Sequence, residues 1–248
     1  MRNRANWITS HGLAFGVGLV LFIAMTALTV EVIRRPRPSI PKVTIGSRDE
    51  IYYSRAATAE DATALGSALQ KLGYFTDQGT AVLLSKNAGG TVVSFVVQPG
   101  LWASAPAAFS FEEIGRRVAG ILGGFPIEIR LVDSAWKVQK TMQVGKVRMG
   151  ARDEIYYLGS ATESDAKALG QALQAFGYLK DLGVTVSVAK GDGTAIFFVV
   201  GEGVWQQPQA VAGFEQLARR VAPSVGGLPL EVRLLSPEME VKTHVEIR

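Results

Sequence analysis

Two stretches of the chain share one pattern of apolar and polar residues. Each begins with a strand-like segment, EIYYS at 50–54 or EIYYL at 154–158, and continues into a helical pattern at 58–72 or 162–176. Apolar residues recur at three- and four-residue spacing in both helical segments, and a glycine follows each one. A threonine with an aspartate three residues later predicts a capping box at the start of each helix.

The second part of each stretch predicts a β-hairpin, a second helix and a closing strand. Apolar strands such as TVVSFVV and TAIFFVV flank glycine-containing turns, as expected for hairpins. A helix containing FEEIGRRVA or FEQLARRVA follows, and PIEIRLV or PLEVRLL closes the unit. Alternating residues at 136–144 and 241–247 predict additional edge strands that pair with the other repeat or with another subunit.

The two stretches are tandem copies of one unit. Residues 42–86 and 146–190 are identical at 25 of 45 positions, and the correspondence continues after a one-residue deletion. The order β-α-β-β-α-β predicts an α+β protein with ferredoxin-like (split βαβ) units, each with an antiparallel sheet and both helices on one face. We therefore expect repeat 1 at 43–134, a linker or edge strand at 135–146, and repeat 2 at 147–248.

An uninterrupted apolar segment precedes the repeats. Residues 12–30 contain no charged side chain and would span about 28 Å as a helix, close to the hydrocarbon thickness of a bilayer. We expect a tail at 1–11, a single transmembrane helix at 12–33, and an extended linker rich in proline and arginine at 34–42. The predicted membrane-anchor residues are Trp7, Phe15, Leu19, Leu21, Phe22, Ile23, Leu28, Arg34, Arg35 and Arg37.

A cleaved signal peptide is the alternative interpretation of this segment. It would have a shorter apolar region followed by a small-residue cleavage site, and the sequence shows no convincing site of that kind. Basic residues flank the segment on both sides, which leaves its orientation nearly balanced. The greater number on the C-terminal side slightly favours a cytoplasmic body at a bacterial inner membrane.

The excess positive charge of the chain belongs to the anchor region. The formal net charge is +4, yet six basic residues and one acid lie in 1–42, which leaves 20 basic and 21 acidic residues in 43–248. A nucleic-acid-binding protein concentrates basic residues on its binding domain. We therefore predict the lipid bilayer as a partner, and no nucleic acid.

Side chains typical of catalytic and metal sites are scarce. The chain has no cysteine and two histidines, His11 beside the apolar segment and His244 near the C-terminus, both outside the repeated core. Thiolate chemistry is therefore excluded, and no phosphate-binding glycine motif stands between a strand and a helix. We predict a protein that is not an enzyme and that uses neither metal nor cofactor.

The motif RDEIYY at 48–53 and 152–157 places an Asp-Glu pair in each copy. Adjacent residues on a strand point to opposite faces, so neither pair alone can flank one substrate bond. If Asp49 and Asp153 met between the repeats, the chain would be a carboxylate-dependent enzyme, which is the second alternative. The simpler interpretation is a polar turn that leads into the first strand.

Repeated tryptophans and arginines are candidates for a partner surface, because both residue types are enriched at binding hot spots. A site specific to one repeat is expected where the copies differ, at Ser54-Arg55 against Leu158-Gly159 and at 103–108 against 206–211. We expect a membrane-anchored, non-enzymatic protein-binding module that serves as an accessory or scaffold subunit of a larger complex, with other membrane-protein subunits as partners. The first alternative is an extracytoplasmic module that binds cell-wall glycan or a small molecule. The candidate partner residues are Trp102, Trp205, Arg55, Arg116, Arg117, Arg219 and Arg220.

Overall fold

The computed structural model describes residues 40–248, which form eleven strands and four α-helices. Short 3₁₀ turns precede and follow the second and fourth helices. The strands are β1 (Lys42–Ile45), β2 (Asp49–Arg55), β3 (Ala81–Asn87), β4 (Gly90–Val96), β5 (Ile127–Val132), β6 (Val138–Met149), β7 (Asp153–Gly159), β8 (Thr185–Lys190), β9 (Thr194–Val199), β10 (Leu230–Leu235) and β11 (Val241–Ile247). The helices are α1 (Ala59–Lys71), α2 (Ala105–Val118), α3 (Glu163–Ala175) and α4 (Pro208–Val221).

The predicted capping boxes are confirmed in α1 and α3. Thr58 Oγ1 accepts the backbone N–H of Asp61 at 3.1 Å, and the Asp61 carboxylate accepts the backbone N–H of Thr58 at 3.0 Å. Thr162 and Asp165 repeat these two bonds at the start of α3. Each box satisfies backbone donors that the first turn of a helix leaves without partners.

The predicted ferredoxin-like units with separate antiparallel sheets are wrong. All eleven strands form one mixed sheet, in which each strand pairs with its neighbours in sequence. Helix α1 connects β2 to its parallel neighbour β3, and α2 connects β4 to its parallel neighbour β5. A split βαβ unit would instead place another strand between each of these pairs.

The order of elements along the chain is the same in the two arrangements, which is why apolar periodicity does not distinguish them. The length of the apolar run in a central strand does distinguish the two arrangements. Strand β4 is an almost continuous apolar run in which five of the seven residues are buried. Such runs are typical of strands in sheets with parallel pairing that are covered on both sides, whereas a one-sided antiparallel strand alternates apolar and polar residues.

Strand β6 joins the two repeats without a separate linker. Its residues 138–144 pair with β5, and its residues 143–149 pair with β7. At the change of partner, the ring of Tyr157 covers Gly145, where a Cβ atom would come within 1.9 Å of the ring. We call the part of the sheet up to this point the first half-sheet and the remainder the second half-sheet.

The half-sheets and helices form successive layers. Helices α1 and α2 pack on one face of the first half-sheet, and α3 and α4 pack on the corresponding face of the second. Helix α2 also contacts the opposite face of the second half-sheet, where the ring of Phe109 stacks on Phe197 at a centroid distance of 5.1 Å. Helix α2 therefore lies between the two half-sheets, whereas α4 and the outer face of the first half-sheet lie at opposite ends of the stack.

The predicted tail, the transmembrane helix and the linker up to residue 39 lie outside the described residues. Across 40–248, no helix combines the length and the apolar character needed to cross a membrane. The anchor and its residues therefore stay a prediction from the sequence.

Candidate partner-binding face

The first half-sheet has one face that points away from its helices, and this face contains a groove. The groove has a volume of about 500 Å³ and is bordered by the start of β1 and by the turn between β5 and β6. We call this surface the open face. It is defined by Tyr52, Leu83, Ser94, Arg130, Val132 and Trp136.

A lysine, a glutamate and a tyrosine form one rim of the groove. Lys42 Nζ pairs with Glu50, and the second carboxylate oxygen of Glu50 accepts the Tyr52 hydroxyl at 2.6 Å. Burial raises the pKa of the Glu50 carboxyl, but the bonds from Lys42 and Tyr52 outweigh it, so the pKa lies below its ordinary value. The carboxylate stays charged at neutral pH and fixes the orientation of the Tyr52 ring.

Trp136 forms a second wall of the groove. It lies in the turn between β5 and β6 with a φ of 64°, and its ring meets Tyr52 edge-on at a centroid distance of 5.7 Å. Asp133 holds the turn, because its Oδ1 accepts the backbone N–H groups of Ala135 and Lys137 at 2.9 and 3.0 Å. These bonds lower the pKa of Asp133, most strongly the bond from Lys137.

The corresponding face of the second half-sheet is covered by α2. The ring planes of Phe109 and Phe197 lie within 7° of parallel, and the Arg116 guanidinium lies 5.4 Å from the centre of the Tyr156 ring. Tyr156 corresponds to Tyr52 and belongs to the same kind of network, with Lys146 and Glu154 in place of Lys42 and Glu50. Among residues 40–248, the two faces thus share a polar rim, and helix α2 covers the one on the second half-sheet.

The centre of the open face is smaller and more polar than that of its counterpart. Ser94 stands where the second half-sheet has Phe197, and Ser54 stands where it has Leu158. Ser54 and Ser85 hydrogen-bond to each other at 2.7 Å across β2 and β3. On the second half-sheet, the space that corresponds to the groove is filled by Phe197, Leu158 and helix α2.

The acids of RDEIYY have structural partners within each repeat. The Asp49 carboxylate accepts the backbone N–H groups of Asp77, Gly79 and Thr80 at 2.7–2.9 Å. Asp153 makes the same three bonds to its own loop. Burial raises the pKa of Asp153, but the loop amides together lower it below the ordinary value. Each carboxylate binds three backbone N–H groups of one loop in its own repeat and so fixes the conformation of that loop. We call these two aspartates the loop clamps.

The two predicted tryptophans lie in equivalent 3₁₀ turns that precede α2 and α4. Trp102 packs against the core of the first repeat and Trp205 against that of the second, and both are half-buried. The backbone carbonyl of Trp205 accepts the Thr243 hydroxyl at 3.4 Å. These contacts anchor the turns, and they place neither tryptophan in the groove.

The arginines of α2 lie within the contact between the repeats. Arg116 and Arg117 both bond to the buried Glu113 carboxylate, each at 2.7 Å. Arg117 also donates to the backbone carbonyl of Glu238 at 3.2 Å. These two side chains therefore join repeat 1 to repeat 2 inside the chain.

The remaining predicted arginines lie on exposed surface. Arg219 donates to the backbone carbonyl of Arg248 at 2.7 Å, and the Arg220 guanidinium lies 4.1 Å from the centre of the Phe176 ring. Arg55 ends β2 with a φ of 61°. The structure brings none of the three to the groove, although Arg55 lies on the same half-sheet.

Several groove residues were not predicted from the sequence. Trp136 is the clearest case, since its counterpart in repeat 2 is Met239 and it therefore did not stand out as a repeated tryptophan. The signal that could have found it is the difference between the copies, because Trp136 and Ser94 are both positions where the repeats diverge. Within 40–248, no cluster of three or more histidine, aspartate or glutamate side chains is arranged to hold a metal ion.

No protein-family model matches the chain, and no curated protein matches it with significant similarity. The functional argument therefore depends on the geometry of the open face and on the comparison between the repeats.

Proposed function

We propose that the chain is a single-pass, membrane-anchored, non-enzymatic protein-binding module, an accessory subunit that stabilises a larger membrane protein complex. One observation supports this most strongly. The open face has the same rim as a surface that, in the second repeat, already packs against a helix. A helix of another protein chain is the kind of partner that this rim matches.

The chemistry of the groove supports a protein partner. Leu83 and Val132 supply an apolar floor, Trp136 is the kind of aromatic side chain that dominates binding hot spots, and Arg130 and Lys42 supply polar edges. The apolar segment 12–30 and the basic linker support attachment to a bacterial inner membrane with the body on the cytoplasmic side. Protease treatment of spheroplasts tests this orientation, since a cytoplasmic body is protected and an extracytoplasmic body is cut.

The experiment that tests the binding function uses the full chain in its native membrane. A photo-reactive amino acid at position 83 should cross-link a protein at the open face, and Leu83→Glu should abolish recovery of that protein in mild detergent. Leu182→Glu is the matched control, because Leu182 is apolar and 66% exposed but lies in the second repeat. It should leave recovery unchanged.

The proposal is wrong if position 83 cross-links no protein, or if Leu83→Glu and Leu182→Glu retain partners equally. Melting temperatures of both variants must match the wild type, so that loss of partner reports on the surface and not on unfolding.

A second candidate function is supported by the size of the groove. A volume of about 500 Å³ lies within the range of small-molecule sites, and the Trp136–Tyr52 pair offers aromatic surface for a sugar ring. This candidate is the extracytoplasmic ligand-binding module. It requires saturable binding of a cell-wall fragment that Trp136→Ala abolishes, together with a protease-accessible body in spheroplasts.

A further inference from the structure

Strand β11 lies at one edge of the sheet. Among residues 40–248 it pairs with β10 alone, whereas its counterpart β6 has β5 on one side and β7 on the other. An edge strand presents backbone N–H and C=O groups that can bind a further strand. The sequence predicts that 136–144 and 241–247 pair with the other repeat or with another subunit. Because β6 pairs with the other repeat, β11 is the candidate for pairing with another subunit.

The residue types of β11 favour an additional strand at this edge. Four of its seven residues are β-branched, and such residues are enriched in strands. Lys242, His244 and Glu246 are exposed. The residues between them pair with core residues of β10 and share the helix-covered face: Thr243, Val245 and Ile247. The exposed side chains therefore determine which strand can lie beside β11.

The shape and charge of this edge restrict the choice of partner. The register with β10 passes from Thr243 to Val241 and skips Lys242, which makes a bulge near the start of the strand. Bulges and charged side chains, lysine above all, keep edge strands from pairing with unrelated strands. Lys242 and Glu246 thus favour a partner that brings an opposite charge to each of them.

The charged positions of this edge are self-complementary. When two copies of β11 run antiparallel with His244 of each copy opposite the other, Lys242 lies opposite Glu246 of the second copy. Beyond this pair, Glu240 lies opposite Arg248. Two-fold symmetry makes each pair occur twice, and opposite charges in directly facing positions stabilise a sheet.

The neighbouring registers lack this complementarity. Moving the centre of the pairing by one residue towards the start of the strand places Glu240 opposite Glu246. Moving it by one residue towards the end places Lys242 opposite Arg248. Like charges in directly facing positions destabilise a sheet, so the register centred on His244 is favoured over both.

We propose that β11 pairs with β11 of a second copy of this chain, antiparallel and centred on His244, so that the two sheets continue into one. The contact is isologous, because both copies use the same strand, and it therefore closes at two copies. It lies at the edge of the second half-sheet, whereas the open face belongs to the first. The proposal is therefore independent of the binding function proposed above, which is tested at position 83.

Charge reversal across the contact tests the proposal in the full chain purified in mild detergent. Wild-type particles, measured by light scattering, should change from the mass of a monomer to that of a dimer as the concentration rises. Lys242→Glu or Glu246→Lys alone should raise the dimer dissociation constant about tenfold, since each places like charges opposite each other at two symmetric positions. The double variant should restore the wild-type value.

A mixture of the two single variants gives a sharper result. Lys242→Glu and Glu246→Lys chains at equal concentration should form mixed dimers at a lower concentration than either variant forms its own, because both facing pairs in a mixed dimer are opposite in charge. Lys167→Glu is the matched control. Lys167 is also an exposed lysine paired with a glutamate, but it lies on α3, so its reversal should leave dimerisation unchanged.

An introduced thiol reports the register directly, because the chain has no cysteine. His244→Cys places the two thiols of a dimer in directly facing positions, where oxidised glutathione should convert them into an intermolecular disulfide. Leu182→Cys is the control, since Leu182 is 66% exposed in the same repeat but lies outside β11. It should form a disulfide much more slowly.

The proposal is overturned if the wild type stays monomeric at all concentrations, or if both single reversals dimerise as strongly as the wild type, as contact through the apolar segment 12–30 would. It is also overturned if His244→Cys forms a disulfide no faster than Leu182→Cys. Pairing of this edge with residues 1–39 or with a different protein would give that result. Melting temperatures of the variants must match the wild type, so that weaker dimerisation reports on the contact.

Discussion

Helices α2 and α4 carry nearly the same sequence pattern and have different surroundings. Both contain a phenylalanine, a glutamate and an Arg-Arg pair at corresponding positions. In α2 the glutamates are buried beneath the second half-sheet, whereas in α4 their counterparts Glu215 and Gln216 are half-buried and exposed. The comparison shows that the duplicated unit determines its own core, while its place in the stack determines which surfaces are covered.

The largest expected change in stability comes from removing the Phe197 ring, which occupies the covered face where the open face has Ser94. Phe197→Ala deletes the partner of Phe109 and leaves a cavity between the layers, which should lower the free energy of unfolding by about 4 kcal/mol. Its counterpart change, Ser94→Ala, should cost about 0.5 kcal/mol or less. Chemical denaturation of the full chain in detergent measures both, and equal losses would contradict the assignment of covered and open faces.

Glu112 should make stability depend on pH at the covered face. Burial raises the pKa of its carboxyl from the ordinary 4.5 to about 7, and nearby Lys140 and the Gly159 N–H only partly oppose this. Because the folded-state pKa is the higher one, the folded chain binds the proton more tightly, and stability falls as the pH rises from about 4.5 to about 7. Glu112→Gln should remove this loss, a gain of about 3 kcal/mol above pH 7.

The matched control for this effect is Glu215→Gln, which changes the half-buried counterpart on α4. Unfolding curves between pH 4 and pH 8 should show a flatter profile for Glu112→Gln than for the wild type, and no comparable change for Glu215→Gln. A wild-type stability that does not decline across this range would refute the prediction.

The loop clamps should respond alike in the two repeats, because they lie inside the unit. Asp49→Asn and Asp153→Asn each place an amide donor against a backbone N–H, which should cost about 2 kcal/mol. For Asp153, whose folded-state pKa is lowered, the contribution is present above about pH 4 and is lost as the pH falls through the folded-state value. A large difference between the two variants, measured by thermal unfolding at pH 7, would show that the clamps are not equivalent.

The smallest expected effects concern the capping boxes. Thr58→Ala and Thr162→Ala remove the same side-chain acceptor from equivalent helix starts and should each cost about 1 kcal/mol. Equal losses in urea titrations would confirm that local structure is independent of position in the stack. An effect confined to one repeat would indicate that the neighbouring layers support the two helices differently.

Local elements of the fold could be predicted from the sequence, because their causes are local. Helix starts at Thr58 and Thr162, hairpins between apolar runs and the two-copy organisation all follow from spacing and residue type. The strand order could not be predicted in this way, since the same succession of elements is compatible with a split or an adjacent βαβ connection. The continuous apolar run of β4 was the available signal, and the prediction of one-sided antiparallel sheets overlooked it.

The candidate site was harder to predict for a different reason. Most of the predicted residues, such as Trp102 and Arg116, are repeated, yet repetition marks what both copies need for folding. The expectation of a site where the copies differ did include Ser54, which lies on the open face, but not Trp136 or Ser94. The open face is distinguished by positions where the copies differ, Trp136 and Ser94 among them. Whether such a difference opens a groove depends on which layer covers the surface, and that information lies in the tertiary structure.

The continuous strand β6 has a mechanical consequence. Because the same twelve residues complete both half-sheets, force applied to one repeat passes to the other through the hydrogen bonds of β6 with β5 and β7. Within the described residues, one continuous strand and no separate linker joins the two repeats. In a single-molecule pulling experiment, the two repeats should therefore rupture in one event.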